Sequence, residues 1–284
     1  MPELPEVEVV RRDLAAEVAG RTVVGVSVTG VRSVRRQSPE QLVRRLTGAG
    51  LGAPGRVGKY LTIPLEGPGD AVLVVHLRMS GRLVLAGPGD SLAPHTHAVL
   101  RLSDGRELRF VDPRTFGELF VTRCTGGTGG GGGGRPAELA HLGPDPLDPS
   151  FSEAVLTQLL AGRRARLKPL LMDQRRLAGL GNIYTDEALF QAGLRFDRPA
   201  GSVTPAEVSS LHSAITGTLA EAVEHRGSSL RDAQYVDLFG RPGGYQSHHR
   251  VYAREGRPCP RCGRPVVRRR WASRSTFLCE VCQP

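Results

Sequence analysis

Lysine is almost missing from this 284-residue chain: of its 38 basic residues only Lys59 and Lys168 carry a side-chain amine. Asparagine occurs once, at Asn182, and tryptophan once, at Trp271. Arginine, glycine, alanine and proline take their place, a drift that a GC-rich genome produces without any functional cause. What survives that drift is still informative, because a guanidinium cannot replace an amine whose pKa must be tuned. No stretch approaches the run of about 18 apolar residues that a membrane-spanning helix needs. The opening residues, Met1-Pro2-Glu3-Leu4-Pro5-Glu6, are acidic rather than basic-then-apolar, so no signal peptide is predicted and the expected location is cytoplasmic. Disulfides are rare there, so the five cysteines call for another use.

Charge is what the chain has in excess. The net charge of +10 and pI of about 10.1 suit a polyanionic partner, nucleic acid first. At this length two modest domains are expected. Over residues 3–19, Val7, Val10, Leu14 and Val18 recur at helical spacing behind two prolines, which predicts an N-terminal helix. Shorter apolar runs at 23–28, 57–65, 71–77, 97–102, 106–111 and 117–122 predict strands, with Asp104-Gly105 as a hairpin turn. Residues 126–134 hold eight glycines in nine positions and read as a linker or loop. Beyond them the pattern is helical. Ser150 with Glu153, and Thr204 with Glu207, make capping-box pairs, and the second helix is expected to end near His225 before Gly227. Residues 227–250 read as a mobile loop. The predicted class is therefore α+β with two domains: an antiparallel β-sandwich carrying an N-terminal helix, then a helical domain. The boundaries expected are 1–123, a linker over 124–137, a helical domain with its loop over 138–250, and a small terminal module over 251–284.

That module contains Cys259-x2-Cys262 and Cys279-x2-Cys282, separated by 16 residues. Four thiolates at this spacing suit one tetrahedral zinc ion, with a hairpin between two knuckles. A four-cysteine site leaves no position for water, so its role is structural. The hairpin displays Arg268, Arg269, Arg270 and Arg274 beside Trp271 and Phe277, a mix of cations and aromatics that favours nucleic acid. Cys124 stands alone and reads as inert.

The chain start offers different chemistry. Met1 precedes a small residue and is a substrate for methionine removal, which would leave Pro2 as a free secondary amine. An α-amino group titrates near pH ~7.7–8, so part of it is unprotonated at neutral pH. Bonded to a sugar C1′ such an amine gives a cationic iminium, an electron sink that acidifies the C2′ proton. Glu3, and secondarily Glu6, lie within reach as acid or base. A proline that merely caps a helix is the plainer alternative.

The alternative weakens in context. Met1-Pro2-Glu3-Leu4-Pro5-Glu6-Val7-Glu8, Gly58-Lys59-Tyr60, His76-Leu77-Arg78-Met79-Ser80-Gly81, Asp112-Pro113-Arg114-Thr115-Phe116-Gly117, Gly179-Leu180-Gly181-Asn182-Ile183-Tyr184 and the four-cysteine hairpin occur in this order. Together the chain resembles the formamidopyrimidine-DNA glycosylase family over nearly its whole length. Leu4 favours the purine-lesion branch over the endonuclease VIII branch, which typically has glycine there.

The resemblance implies a helix-two-turn-helix domain ending in a zinc β-hairpin, and no organic cofactor. It implies an enzyme that flips a lesion out of damaged double-stranded DNA; a monomer, nucleoid-associated, is the simplest expectation for a protein that clamps one lesion. Pro2 would form the Schiff base and Glu3 would be the proton donor at the sugar. Lys59 would serve β-elimination and Arg274 would grip phosphate for δ-elimination, while Asn182 would pinch the same backbone. Met79, Arg114 and Phe116 would fill the hole left by the flipped base, with Arg114 reading the orphaned cytosine. His76, His95, Arg164 and Lys168 match DNA-contacting positions, although His95 is also readable as a structural histidine. The chain departs from the family at Arg78, where glycine is usual, and in the 126–134 glycine run. Residues 228–249 correspond to the family's lesion-covering loop. An oxidised-pyrimidine glycosylase and a non-catalytic zinc-hairpin protein for damaged DNA are the competing readings. Leu4 and the Arg114 motif argue against the first, and the Pro2-Glu3 terminus and Lys59 against the second. A proline-terminal tautomerase would leave the zinc hairpin unexplained.

Overall fold

Helix α1 (Leu4–Glu17) begins almost at the chain end, with Pro5 in its first turn and Glu3 as the residue before it. In the computed structural model, which describes residues 2–67, 70–125, 134–230, 235–271 and 274–284, the chain forms two units. The first takes in Met1–His141 and Arg226–Gly243, the second Leu142–His225 and Gly244–Pro284.

In the first unit α1 is followed by β1 (Val23–Val28), α2 (Pro39–Leu46), β2 (Gly50–Leu51), β3 (Gly55–Val57), β4 (Tyr60–Glu66) and β5 (Ala71–His76). β6 (Arg82–Ala86), β7 (Thr96–Leu102), β8 (Glu107–Val111), β9 (Glu118–Thr125) and β10 (Arg135–Pro136) complete it. The strands form two antiparallel sheets, one in the order β1-β7-β8-β6 and one in the order β10-β9-β5-β4-β2, with β3 also paired to β4. In β4, Leu61 and Ile63 alternate inward, as a strand with one solvated face must. They share a core with Val7, Val10, Leu14 and Val18 of the α1 segment, and with Leu100, Leu108 and Phe110 of the other sheet. Each such aliphatic side chain contributes roughly 1.5–3 kcal/mol on burial.

Several local details differ from the sequence expectation. Residues 57–65 are two strands, not one, because Gly58 (φ 57°) turns the chain and puts Lys59 in the bend between β3 and β4. Helix α2 was not anticipated, although Ser38 accepts from Gln41 N and Gln41 Oε1 accepts from Ser38 N, with Pro39 at its first position. Its buried face is only Leu42 and Leu46, four residues apart, a stretch of about one turn that is short for a helical period to stand out. Strands β2, β6 and β10 are likewise unannounced. Apart from Gly134, the glycine run lies outside the described residues.

The segment Arg226–Gly243, expected with the helical half as a mobile loop, packs on the first unit wherever it is described; residues 231–234 lie outside the description. Ser228 N donates to Glu6 Oε1 at 2.7 Å, and Arg226 bridges Asp13 (2.6 Å) and Asp237 (2.7 Å). Tyr235 and Leu238 enter the sandwich core. Two aromatic or aliphatic anchors among polar neighbours give too weak a pattern to show this in sequence.

The second unit is helical: α3 (Glu153–Leu160), α4 (Leu167–Met172), α5 (Asn182–Ala192) and α6 (Pro205–Glu224), then the hairpin β11 (Val267–Trp271) and β12 (Arg274–Leu278). Helix α3 is capped by Ser152, not Ser150; the Ser150 hydroxyl instead bonds Asp148 in the preceding turn. Helix α6 has the expected Thr204–Glu207 box and ends at His225. Helix α5 packs on both α6 and β12. Among the described residues no helix is long and apolar enough to cross a membrane.

One carboxylate ties α1 to the sheet. Glu8 accepts from Arg11 (2.8 Å) and Arg12 (3.0 Å) on its own helix, and from Arg56 (3.0 Å) on β3. Burial alone would raise its pKa, but the Arg11 hydrogen bond, the Arg56 charge and the Arg12 contact together pull it down to about 2. A carboxyl depressed in the folded state stabilises it above the unfolded pKa and loses that contribution as the pH falls through the folded value. Glu8→Gln is therefore expected to cost about 2 kcal/mol at pH 7. In urea titrations the gap to the parent chain closes as the pH falls from 4.5 towards 2.

Candidate active site and nucleic-acid interface

The first unit gathers most of the expected residues through short-range contacts. Pro2 and Glu3 are buried at the start of α1. The Glu3 amide donates to Glu6 Oε2 at 2.7 Å, while Oε1 of the same carboxylate takes Ser228 N. Tyr235 Oη lies 3.5 Å from the Glu6 carbonyl oxygen, and burial followed by the charge of Glu6 raises its phenol well above the usual value. Gly227 lies against this carboxylate with φ 76°, where an added Cβ would sit 2.7 Å from Glu6 Oε1. Both the conformation and the space require glycine.

Lys59 is buried on the β3–β4 turn, and the turn is fixed from α1. The Arg56 guanidinium that binds Glu8 also donates to Gly58 O at 3.0 Å. The next residue, Tyr60, packs edge-on against the His76 ring at 4.2 Å. Burial, then the charges of Arg78 and Lys59, hold His76 down to about 3. It is neutral at physiological pH. Its Nδ1 accepts from Arg78 N at 2.9 Å, which leaves the proton on Nε2 as a donor.

Arg78, the departure from the family pattern, has φ 53°. That left-handed conformation costs a side-chain-bearing residue about 1–2 kcal/mol and accounts for glycine being usual there. Its guanidinium pairs with Glu118 at 2.8 Å. The neighbouring Met79 is 42% exposed and Phe116 is 49% exposed, so neither is the core residue its type suggests. Arg114 lies over the Phe116 ring at 5.1 Å. The two loops are joined by Asp112, which is fully buried. It accepts from the Ser80 hydroxyl, from Arg114 N at 3.2 Å and from Gly117 N at 2.7 Å. Asp112 was missed as a functional position, although an aspartate two residues before Arg114 is the signature of an Asx turn. His95 is exposed, with φ 64°, and its carbonyl accepts from Asp112 N.

In the second unit Asn182 is the first residue of α5, a helix without a side-chain cap, so it stands at the positive end of the helix dipole. Its Nδ2 donates to Ser275 O at 3.0 Å, beside Arg274 at the start of β12. Arg274 and Arg164 are exposed. Lys168, expected on the DNA face, is turned inward. Its ammonium donates to Asp186 Oδ1 (2.7 Å), Thr276 Oγ1 (2.9 Å) and Ser275 O (3.3 Å). The second Asp186 oxygen accepts from Phe277 N. The pair thus bolts α4 and α5 to the hairpin that carries Arg274. A cleft of about 240 Å³ opens there, lined in part by Lys168, Asp173, Trp271 and Arg274.

The four cysteines converge. Cys259 and Cys282 sulfurs are 3.8 Å apart, those of Cys262 and Cys279 are 3.4 Å apart, and all four lie within 4.8 Å of one another. The edge of a ZnS4 tetrahedron is about 3.8 Å for bonds near 2.3 Å, so the set fits one zinc ion. Arg261 fastens the first knuckle to the end of α5 through the Phe190 and Gln191 carbonyls.

Family comparison agrees with this layout. Residues 1–119 match the formamidopyrimidine-DNA glycosylase N-terminal domain, residues 142–234 its H2TH domain, and residues 256–284 the zinc finger found in FPG and IleRS. The chain belongs to the formamidopyrimidine-DNA glycosylase family. It is 43% identical over 283 residues to a formamidopyrimidine-DNA glycosylase of Chloroflexus aggregans, covering 100% of this chain and 98% of that one. The MutM (Fpg) protein of Thermus thermophilus superposes with a TM-score of 0.85 at 44% identity, over 99% and 98% of the two chains. Wild-type Lactococcus lactis Fpg (MutM), solved with a DNA containing N7-benzyl-Fapy-dG, gives 0.86 at 31% identity, over 99% of each. As in that family, the cysteines form the site of one structural Zn2+.

Two measurements bear on this site. Lys168→Met is expected to cost about 3–5 kcal/mol, because it removes the cation that opposes the rise of the buried Asp186 carboxyl, already pushed up to about 7 by burial, and leaves that group without its ion-pair partner; chemical denaturation reads it directly. Cys279→Ser is expected to lose zinc, and with it the folding energy of the hairpin. DNA affinity then falls together with zinc content by elemental analysis, and undiminished binding by the metal-free variant would contradict the role given to the hairpin.

Proposed function

We infer that the chain is a bifunctional DNA glycosylase and AP lyase of base excision repair, acting as a monomer on oxidised purines in duplex DNA. The observation that carries this reading is the chain start: Pro2, whose nitrogen becomes a secondary amine once Met1 is removed, and the Glu3 carboxylate are both buried at a helix N-terminus, in a chain that matches its family from end to end.

The chemistry then follows from the residues. With Met1 removed, the Pro2 nitrogen attacks C1′, and the N–C1′ bond forms as the glycosidic bond breaks and the base leaves with its electron pair. Glu3 supplies a proton to O4′ as the C1′–O4′ bond opens, and the nitrogen, having lost its own proton, becomes the C1′ iminium. The resulting iminium draws electrons from C2′, so loss of the C2′ proton expels the 3′ phosphate, with Lys59 assigned to this β-elimination. δ-Elimination then releases the 5′ phosphate, assigned to Arg274. His76 is held neutral beside Lys59, so it donates a hydrogen bond without adding a second cation to the amine. Met79, Arg114 and Phe116 are assigned to the vacated stack, where an exposed apolar wedge offsets the cost of unstacking. Asn182, Arg164 and His95 are assigned to backbone contacts. Lys168 is assigned to positioning, through Asp186, the strand that bears Arg274. Zinc supplies no chemistry to these steps; it holds the hairpin.

Borohydride trapping tests the assignment. A duplex with one 8-oxoguanine opposite cytosine is expected to give a covalent adduct that maps to Pro2. Pro2→Gly is expected to lower excision and strand cleavage by about 10²-fold with binding to damaged DNA retained; an equal loss of binding would refute the covalent role. Trapping only on an oxidised pyrimidine would move the substrate to the other branch.

A further inference from the structure

A second cluster of metal-ligating side chains lies away from the cysteines, at the end of α6. Glu221 and His225 are four residues apart on that helix and so share its surface. The short turn Tyr245–His248 brings His248 against them. The His225 and His248 rings stack with centroids 3.7 Å apart. His248 Nδ1 is 4.0 Å from Glu221 Oε1, and one ligand atom from each of the three residues lies within 4.8 Å of the others.

The donor set decides the kind of ion. Two imidazoles and one carboxylate suit the borderline cations Zn2+ and Ni2+, whereas calcium and magnesium take oxygen. The carboxylate is already oriented. Its far oxygen, Oε2, accepts from Arg250 Nη1 at 3.1 Å and from the Tyr245 hydroxyl at 3.4 Å, the outer support typical of metal-bound carboxylates, while Oε1 accepts only a longer 3.4 Å bond from Arg250 Nη2 that a cation would displace. The fully buried Tyr245 ring stacks parallel to His248 at 5.9 Å and gives that imidazole a floor. Ligand atoms around a tetrahedral ion with bonds near 2.1 Å are about 3.4 Å apart. Closing the cluster thus needs small rotations of side chains at the surface. Three protein ligands leave one position to water. The Arg250 guanidinium repels a cation, so the affinity is expected in the micromolar range, far below that of four thiolates.

We propose that Glu221, His225 and His248 form a second divalent-cation site that takes Zn2+ or Ni2+ and staples the Tyr245–His248 turn to the end of α6. The turn leads directly into Arg250, Val251 and Tyr252, whose amides are held by the buried Glu187 carboxylate, and so into the zinc module. A cation here joins α6 to the root of that module.

The test uses the whole protein with its four-cysteine zinc retained, as checked by elemental analysis before and after. Isothermal titration with NiCl2 is expected to show one equivalent bound with a micromolar Kd, and thermal melts a rise in Tm with nickel. His248→Ala and Glu221→Gln are each expected to weaken binding at least about tenfold (one tenfold step being 1.4 kcal/mol) and to abolish the nickel-dependent rise in Tm. His225→Ala tests the third ligand in the same way. No saturable binding by the parent chain, or binding unchanged across the three variants, would overturn the proposal.

Discussion

A single carboxylate holds the beginning of this chain in place. Chain termini fray unless something ties them down, yet the proposed nucleophile is the terminal amine itself. Glu6 resolves the conflict with both oxygens, one on the Glu3 amide and one on Ser228. The first bond closes the helix start; the second reaches a segment more than two hundred residues away. With Gly227 leaving room and Tyr235 beneath, the end of the chain becomes part of a packed core. Removing that carboxylate would take one hydrogen bond from the helix start and one from Ser228 together.

In the second unit the equivalent constraint is the buried Lys168–Asp186 pair. A buried ion pair is weak evidence of stability, since desolvation offsets much of its attraction. Its contribution here is directional. Asp186 turns one oxygen to the lysine and the other to Phe277 N, while the lysine directs its remaining donors to Ser275 and Thr276. Strand β12 is thereby locked in register against α5, and the zinc knuckles lock its far end. Arg274 projects from a strand fixed at both sides, the support that the proposed phosphate contact would require.

Much of this is legible in the chain, and the exceptions share a cause. Helix α1, helix α6 with its Thr204 cap, the main strands and the cysteine site all rest on local periodicity or spacing, which sequence displays directly. Helix α2 is hidden because its buried face is one turn long, Leu42 and Leu46 alone, and the β3–β4 turn because Gly58-Lys59 sits inside one apolar run. Lys168 is expected on the DNA face only because it matches such a position in the family, and no local pattern shows its partner Asp186, eighteen residues away. The anchoring of 226–243 depends on Glu6, Asp13 and two core residues, contacts too distant for any pattern to reveal. Met79 and Phe116 go the other way. Residue type suggests core, the resemblance suggests a wedge, and the structure leaves both exposed.

The near absence of lysine has a consequence for chemistry done on this protein. Outside the terminus, only two side chains can form an imine, and Lys168 is buried with its donors committed to three partners. A guanidinium could not stand in its place, because a planar fork cannot reach three acceptors arranged around a tetrahedral nitrogen. Lys59 is buried as well, in the bend that α1 holds. Reagents selective for primary amines therefore meet no exposed lysine on the surface. In a mass spectrum of a reduced protein–DNA adduct, the modified peptide has very few possible addresses, and assignment of the reacting nitrogen becomes a choice among three.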